Sequence, residues 1–249
     1  MKLRLDKLLV ERGLAASRER AQALILGGKV LVDEQKVDKA GAQVAEDVGI
    51  RLLGEDLKYV SRGGLKLERA LDHWQIEVGG KVCLDVGAST GGFTDCLLQR
   101  GAARVIAVDT GYGQMDFQLR QNPRVRLLEK CNARYLSRDA VGELVELIVV
   151  DVAFISATLV LPAAVNAAFP ESPAERVGRQ LVVLVKPQFE AGREHVGKGG
   201  IVRDESAQLA AVEKVRNSLL HLGCTRTEPI ESPILGTEGN REFLLFAVF

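Results

Sequence analysis

From Lys81 onward, short runs rich in Val, Ile and Leu alternate with longer stretches of mixed polarity. VCLDV precedes GFTDCLLQR, RVIAVD and RVRLLE follow, LIVVDVAF leads into SATLVLPAAV, LVVLVKP comes before SAQLAAVEKVRNSLL, and EFLLFAV closes the series. Strands separated in this way by helices predict an α/β fold, a mostly parallel sheet covered by helices on both faces. Ligands of such sheets bind beyond the carboxyl ends of the strands, where the strand order reverses. Functional residues are therefore expected at strand ends.

Before Lys81 the pattern is different. Leu3, Leu5, Leu8, Leu9 and Leu14 fall at mixed short spacings, and SRERAQALILGGKVLVD reads as a helix stopped by Gly27-Gly28 and followed by a strand over 30–32. Ser17 stands at the N-cap, although Arg20 occupies the place where a capping box has Glu. Further short strands are predicted at 36–37 and 48–53, with Asp33-Glu34 as a turn. A connector containing Gly54, Glu55 and Asp56 then leads to YVSRGGLKLERAL, a glycine-punctuated entry to the next helix. The organisation read from this is a small α+β domain over 1–55, a linker over 56–62 and a larger domain over 63–249. A length of 249 residues suits two domains.

Composition narrows the class. A hydrophobic content of 47% with 27% charged residues supports a substantial core and excludes wholesale disorder. Cys83, Cys96, Cys131 and Cys224 show no paired spacing, which speaks against a disulfide framework or structural zinc and for a reducing compartment. The start of the chain lacks an apolar signal core, and apolar runs such as 147–150 and 181–185 are far shorter than a membrane span. The expectation is a cytoplasmic protein with no membrane partner. His73, His195 and His221 have no metal-ligand spacing, so no metal is expected. Net charge is zero but unevenly spread. Residues 1–30 hold seven Lys and Arg against three acids, a net of +4, and the other 219 residues hold 26 against 30, a net of −4. That asymmetry predicts a basic N-terminal surface for an anionic partner.

The candidate chemistry begins at Asp85-Val86-Gly87-Ala88-Ser89-Thr90-Gly91-Gly92-Phe93, which follows a buried strand and opens a helix. Small residues there let the backbone turn tightly and approach a ligand closely. Asp109 ends the next strand, 24 residues after Asp85, where a ribose diol would be met. A nicotinamide enzyme would show similar features, but this loop lacks the G-x-G-x-x-G spacing. It resembles the first motif of class I methyltransferases, which implies that Asp85 helps to hold the amino-acid end of S-adenosylmethionine. Asn132 follows the third strand, where it meets an adenine edge or simply forms a turn. Asp116 is a weaker candidate, more readily solvated.

A lysine directly after a buried strand, as in LVVLVKP, needs a reason, because a buried ammonium is costly unless paired or deprotonated. Lys186 and Asp151 end neighbouring apolar runs; Lys66 lies in SRGGLKLERA, and Glu242 begins the last strand. Glu238 competes with Glu242, which is preferred because it follows Gly239-Asn240 and opens an apolar run. Four ionisable groups from distant positions can thus meet at one cleft.

With SRGG-LK, D-G-STGGF, DVAFIS, VKPQFE and GN-E in this order, nearly the whole chain resembles the RNA 2′-O-methyltransferases of the hemolysin-A-like (TlyA) group, whose catalytic domain is FtsJ-like. The resemblance implies a seven-stranded class I methyltransferase fold and a catalytic tetrad at Lys66, Asp151, Lys186 and Glu242. It also implies methylation of a ribose 2′-hydroxyl, on cytidine, in ribosomal RNA or assembled subunits. In such a reaction the ribose oxygen attacks a sulfonium methyl, and the enzyme contributes proximity, alignment and proton removal. A lysine acting as a neutral base near pH 7 must be held far below its usual value of about 10.4, whereas a charged one can still orient the oxygen.

The first thirty residues, with DKLLVERGLA-SR, resemble the small RNA-binding domain first seen in ribosomal small-subunit protein four. This implies phosphate contacts from Arg4, Lys7, Arg18, Arg20 and Lys29, giving salt-sensitive, shape-directed binding. Arg62, in SRGG, is a further candidate phosphate ligand or a solvated residue. FEAGREHVGKGGIVRD reads as a substrate-gating loop or a merely flexible one. Two other functions compete: a membrane-active cytolysin, which the absence of an amphipathic basic helix disfavours, and an RNA-binding assembly factor without catalysis, which the complete tetrad disfavours.

Overall fold

The computed structural model describes residues 2–15, 17–53, 58–236 and 238–249, in two compact units that divide between residues 57 and 58. The predicted connector at Gly54, Glu55 and Asp56 lies outside the described residues.

In the first unit β1 (Lys2–Arg4) leads into α1 (Leu5–Glu11), α2 (Arg18–Leu26), β2 (Val30–Val32), β3 (Gln35–Lys36), β4 (Gln43–Ala45) and β5 (Ile50–Leu52). Leu5, Leu8 and Leu9 fall on one side of α1, and Leu5 and Leu9 meet Ala21, Ile25 and Val30 in the core. Ser17 caps α2 by accepting from the Arg20 N–H at 3.2 Å. Asp33 and Glu34, with φ of 49° and 64°, form the two-residue turn between β2 and β3, as a primed hairpin requires. The pairing of β1 with β4 was not predicted, because KLR and QVA are too short and too polar to show a period.

The tightest polar feature of this unit is Asp6, fully buried on α1. Arg4 donates to both of its oxygens at 3.0 and 2.9 Å, while Arg18 and Gln22 reach Oδ2 at 3.0 and 2.9 Å. These bonds, that from Arg4 above all, hold the Asp6 carboxyl well below the usual carboxylate range against the opposing effect of burial.

The second unit runs α3 (Gly63–His73), β6 (Val82–Val86), α4 (Gly92–Gln99), β7 (Arg104–Val108), α5 (Phe117–Gln121), β8 (Val125–Leu128), α6 (Arg138–Val141), β9 (Leu147–Val150), α7 (Leu161–Ala168), β10 (Gln180–Val185), α8 (Pro187–Glu190), α9 (Glu205–His221), β11 (Arg226–Glu231) and β12 (Phe243–Val248). One seven-stranded sheet has the order β11-β12-β10-β9-β6-β7-β8, and only β12 runs antiparallel to its neighbours. Alternate residues of each strand serve opposite faces. Leu84, Ile148 and Val183 pack with α7 and α9, whereas Cys83, Val149 and Val182 pack with α3 and α4. Burial on both faces is why these strands read as continuous apolar runs. It also pushes the Cys83 and Cys96 thiols up to about 12, leaving them inert packing groups.

Two expectations are corrected. Strand β11, RTEPIE, was missed because it lies at the sheet edge, has only exposed and half-buried residues and carries Pro229, which an edge strand tolerates. Residues 58–62, read as linker, belong to the second unit: Tyr59 is 2% exposed and donates to Glu68 at 3.0 Å, and the Val60 N–H donates to Asp95 at 2.9 Å. Among the described residues no helix is long and apolar enough to cross a membrane.

Replacing Asp6 by Ala removes a charged acceptor from three donors and is expected to destabilise the first unit by about 2–3 kcal/mol, read by denaturant unfolding of the full chain. Because the folded-state value of Asp6 is depressed, its contribution is present at neutral pH and is lost as pH falls below the ordinary carboxylate range. The loss should be absent in Asp6→Ala.

Candidate active site

The strand order reverses at β6, with β7 on one side and β9 on the other, so the loops leaving β6 and β9 part and open a crevice. The loop after β6 spans Gly87 to Gly92. Gly87 adopts φ +87°, and a side chain there would collide with the Asp151 carbonyl. Gly92 lies against the Ser61 hydroxyl and the Gly64 N–H, and Gly64 lies under the Tyr59 ring. Two glycine pairs, one in SRGG and one in TGGF, thus let the start of α3 settle directly on the start of α4, which carries Lys66 to the crevice.

A cavity of about 280 Å³ occupies this crevice. Lys66, Asp151, Lys186 and Glu242 all line it, beside Gly87, Ala88, Ser89, Thr90, Gly92 and Phe93. Sheet register explains the meeting. Val150 pairs with both Val86 and Val183, so Asp151 emerges between the β6 loop and the end of β10. Val185 pairs with Phe243 in the antiparallel β12, which sets Glu242 alongside Lys186. Lys186 Nζ lies 2.6 Å from Asp151 Oδ1, and the Lys66 ammonium donates to Glu242 Oε2. Glu242 is 3% and Lys66 8% exposed, so each charge is tolerable only through the other. Glu238 is exposed and lies outside the cavity lining. The two ammonium and two carboxylate groups cancel, and Arg62 adds a positive charge at the cavity's edge. The paired groups offer crossed donors and acceptors, which suit a neutral hydroxyl that must be oriented and deprotonated.

Asp85 is fully buried beneath the glycine loop, where Thr94 Oγ1 donates to its Oδ2 at 2.6 Å and its Oδ1 has no partner among the described residues. Burial pushes this carboxyl up from its ordinary 3.8 to about 7, opposed by Thr94 and reinforced by the nearby charges of Asp151 and Asp109. Asp109 accepts the Ser89 N–H at 2.7 Å and the Gly111 N–H at 2.6 Å, fixing the loop's shape. Asp85, Gly91, Asp109 and Asn132 do not line the cavity. Asn132 is exposed and caps a short 3₁₀ turn by accepting from Arg134 N–H at 3.1 Å; Asp116 caps α5 in the same manner. Arg62 is exposed at the cavity's edge.

In the first unit Lys7 and Lys29 are exposed, while Arg4 and Arg18 are half-exposed and tied to Asp6. Arg20 is half-buried at the start of α2. Sequence reasoning passed over several residues that shape the site. Ser61 and Ala153 line the cavity. Glu190 is a buried carboxylate. Asn240, 1% exposed, holds the Val202 N–H and the Gly200 carbonyl and so anchors one end of the 189–204 segment. The motifs GN-E and VKPQFE contained the last two, but nothing in their spacing announces a buried side chain.

Asp85 generates a pH expectation. Its folded-state value is raised, so the protonated form is favoured by folding and stability is lost as pH rises from about 4 to about 7. Asp85→Asn should flatten that slope and raise the thermal midpoint of the ligand-free protein at pH 8, measured by calorimetry across pH. An unchanged slope would contradict the assignment.

Comparison with known proteins agrees with this geometry. The FtsJ-like methyltransferase family matches residues 59–249, and the S4 domain matches residues 3–49. The Bacillus subtilis protein YqxC, provisionally described as an rRNA methyltransferase, is 45% identical over 98% of this chain and 85% of its own. The 16S/23S rRNA (cytidine-2′-O)-methyltransferase TlyA of Mycobacterium tuberculosis is 43% identical over 98% of this chain and 88% of its own. A solved structure from Streptococcus thermophilus, carrying the provisional label of hemolysin, superimposes with a TM-score of 0.74 at 42% identity over 99% of this chain and 88% of that one. With its sheet order, its glycine loop and a match across the entire second unit, the chain belongs to the FtsJ-like methyltransferases, and within them to the relatives of TlyA that carry an N-terminal S4 domain.

Proposed function

We propose that this protein methylates the 2′-hydroxyl of a cytidine ribose in ribosomal RNA, using S-adenosylmethionine, with Lys66, Asp151, Lys186 and Glu242 as the catalytic set. The observation that carries the reading is the cavity in which those four side chains form two ion pairs beside a glycine loop. The substrate follows the activity named for the Mycobacterium relative, and a ribosomal substrate puts the reaction in the cytoplasm.

The residues fit the cofactor on chemical grounds. Gly87, Ala88, Ser89 and Thr90 line the cavity, Asp85 beneath them holds a buried acceptor, Oδ1, without a partner among the described residues, and Asp109 fixes the loop by accepting the Ser89 N–H. Gly87 to Phe93 with Asp85 would receive the amino-acid end, Asp109 the ribose and Asn132 the adenine edge. Bound there, the cofactor supplies an electrophilic methyl group. Lys186 orients the substrate oxygen, and the Lys186–Asp151 pair receives its proton. Lys66, held by Glu242, presents a second donor to the same oxygen from α3. Alignment of this kind accounts for much of the rate in displacement reactions. Arg62 at the rim and Arg4, Lys7, Arg18, Arg20 and Lys29 of the first unit supply cationic contacts to phosphates. The S4 match over residues 3–49 supports the first unit as the RNA-binding domain.

Incubation with methyl-labelled cofactor and ribosomal subunits should place the label in alkali-resistant dinucleotides containing cytidine, since a 2′-O-methyl group blocks alkaline cleavage. Lys186→Ala should lower kcat by about 100-fold or more while cofactor Kd stays within about threefold. Label on a base, or normal turnover by Lys186→Ala, would refute the proposal.

A further inference from the structure

We infer that Glu190 is a positioning residue for methyl transfer, holding the loop that begins at Asp151 in register with Lys186. The inference rests on the assignment of Asp151 and Lys186 to the catalytic set. Lys186 and Glu190 lie four residues apart, at the two ends of α8, so a single helical turn separates them. Both reach the same neighbouring segment. Lys186 Nζ stands 2.6 Å from Asp151 Oδ1. Glu190 Oε1 accepts the Ala157 N–H at 2.6 Å, and its Oε2 accepts the Ser156 hydroxyl at 2.5 Å. The stretch from Asp151 to Ala157 is therefore gripped at its first residue by one end of α8 and at its last two by the other.

That stretch needs such a grip. Phe154, in its middle, has φ +65°, a conformation that bulky L residues seldom adopt, and its side chain is 93% exposed. Backbone strain of this kind persists only where the surroundings over-determine it. The ring of Phe154 meets that of Phe189, also on α8, with centroids 5.6 Å apart, so the middle of the stretch rests on the same short helix. Glu190 itself is 6% exposed, and burying a carboxylate for a mere helix end would be wasteful, because Ser156 already caps the 3₁₀ turn that follows. Its charge is matched from α9 by Lys214, whose Nζ lies 3.2 Å from Oε2 and also donates to the Glu190 carbonyl at 2.9 Å. The clamp thus joins β9, β10 and α9 at the carboxyl edge of the sheet, one loop away from the reacting groups. Glu190 does not line the cavity, so its effect on rate passes through Asp151.

The test is steady-state methyl transfer by the full chain on ribosomal RNA. Glu190→Ala should lower kcat by about 30-fold or more with cofactor Kd and RNA KM within about threefold, because a shift of the reacting groups by a fraction of an ångström suffices. Glu190→Gln keeps an acceptor for Ala157 and a polar partner for Ser156, and should recover kcat to within about fivefold of the parent. Ser156→Ala, a milder change that leaves the fold intact, should fall between them with the same split between kcat and KM. Loss of activity in Lys186→Ala together with parental kcat in both Glu190→Ala and Ser156→Ala would overturn the role of Glu190 alone. Equal loss in Glu190→Ala and Glu190→Gln, accompanied by loss of cofactor binding, would reduce Glu190 to a folding role and overturn it too. Normal turnover in Lys186→Ala would instead remove the site assignment beneath it.

Discussion

The site depends on a buried ion pair between Lys66 and Glu242. Taking an ammonium and a carboxylate out of water costs several kcal/mol for each, and removing one partner leaves the other uncompensated. The pair is therefore a constraint on the whole second unit. Glu242 must stand at the start of β12, and α3 must lie close enough for Lys66 to reach it. The antiparallel register of β12 against β10 satisfies the first condition, and the glycine contacts between SRGG and TGGF satisfy the second. The same register brings Lys186 beside Glu242 and, through β9, beside Asp151. One strand reversed in an otherwise parallel sheet thus assembles four residues scattered over 177 positions of the chain.

The two units treat charge differently. In the first, a buried Asp6 gathers Arg4, Arg18 and Gln22 and keeps two guanidinium groups half-exposed in fixed positions. Arginines held in this manner lose less side-chain freedom when they meet a phosphate, so part of the ordering that binding requires is already done. In the second unit the site pairs each ammonium with a carboxylate, Lys66 with Glu242 and Lys186 with Asp151. Half-exposed guanidinium groups suit contact with a polyanion; paired ammonium and carboxylate groups suit proton management on one hydroxyl. The division follows the two family matches, S4 over residues 3–49 and FtsJ-like methyltransferase over residues 59–249.

Much of this was legible in the sequence, for physical reasons that can be traced. Strands buried on both faces produce uninterrupted apolar runs, so six of the seven strands could be read, and charged residues directly after such runs stood out as candidates. Glu242 could be preferred to Glu238 because it opens one of those runs. Strand β11 was hidden because an edge strand with Glu228, Pro229 and Glu231 looks like a loop. Tyr59 was taken for linker because the glycine that makes room for its ring lies five residues on and leaves no apolar signal. Glu190 was invisible for another reason: a carboxylate after Phe189 reads as surface, and only tertiary contact with Ser156, Ala157 and Lys214 shows it to be interior. Pairings among the four site residues likewise come from strand register, which spacing along the chain does not encode.

The central claim is that the four side chains act as one unit built on paired charges. A double-mutant cycle on Lys66 and Glu242 tests it most directly, with Lys66→Met, Glu242→Gln and the double variant compared by kcat/KM for methyl transfer. If the pair acts as a unit, the double variant should be no more than about threefold slower than the slower single variant, since the second change removes a group already without its partner. Losses that multiply, giving a double variant slower by the product of the two single effects, would show that the residues contribute independently and would contradict the account.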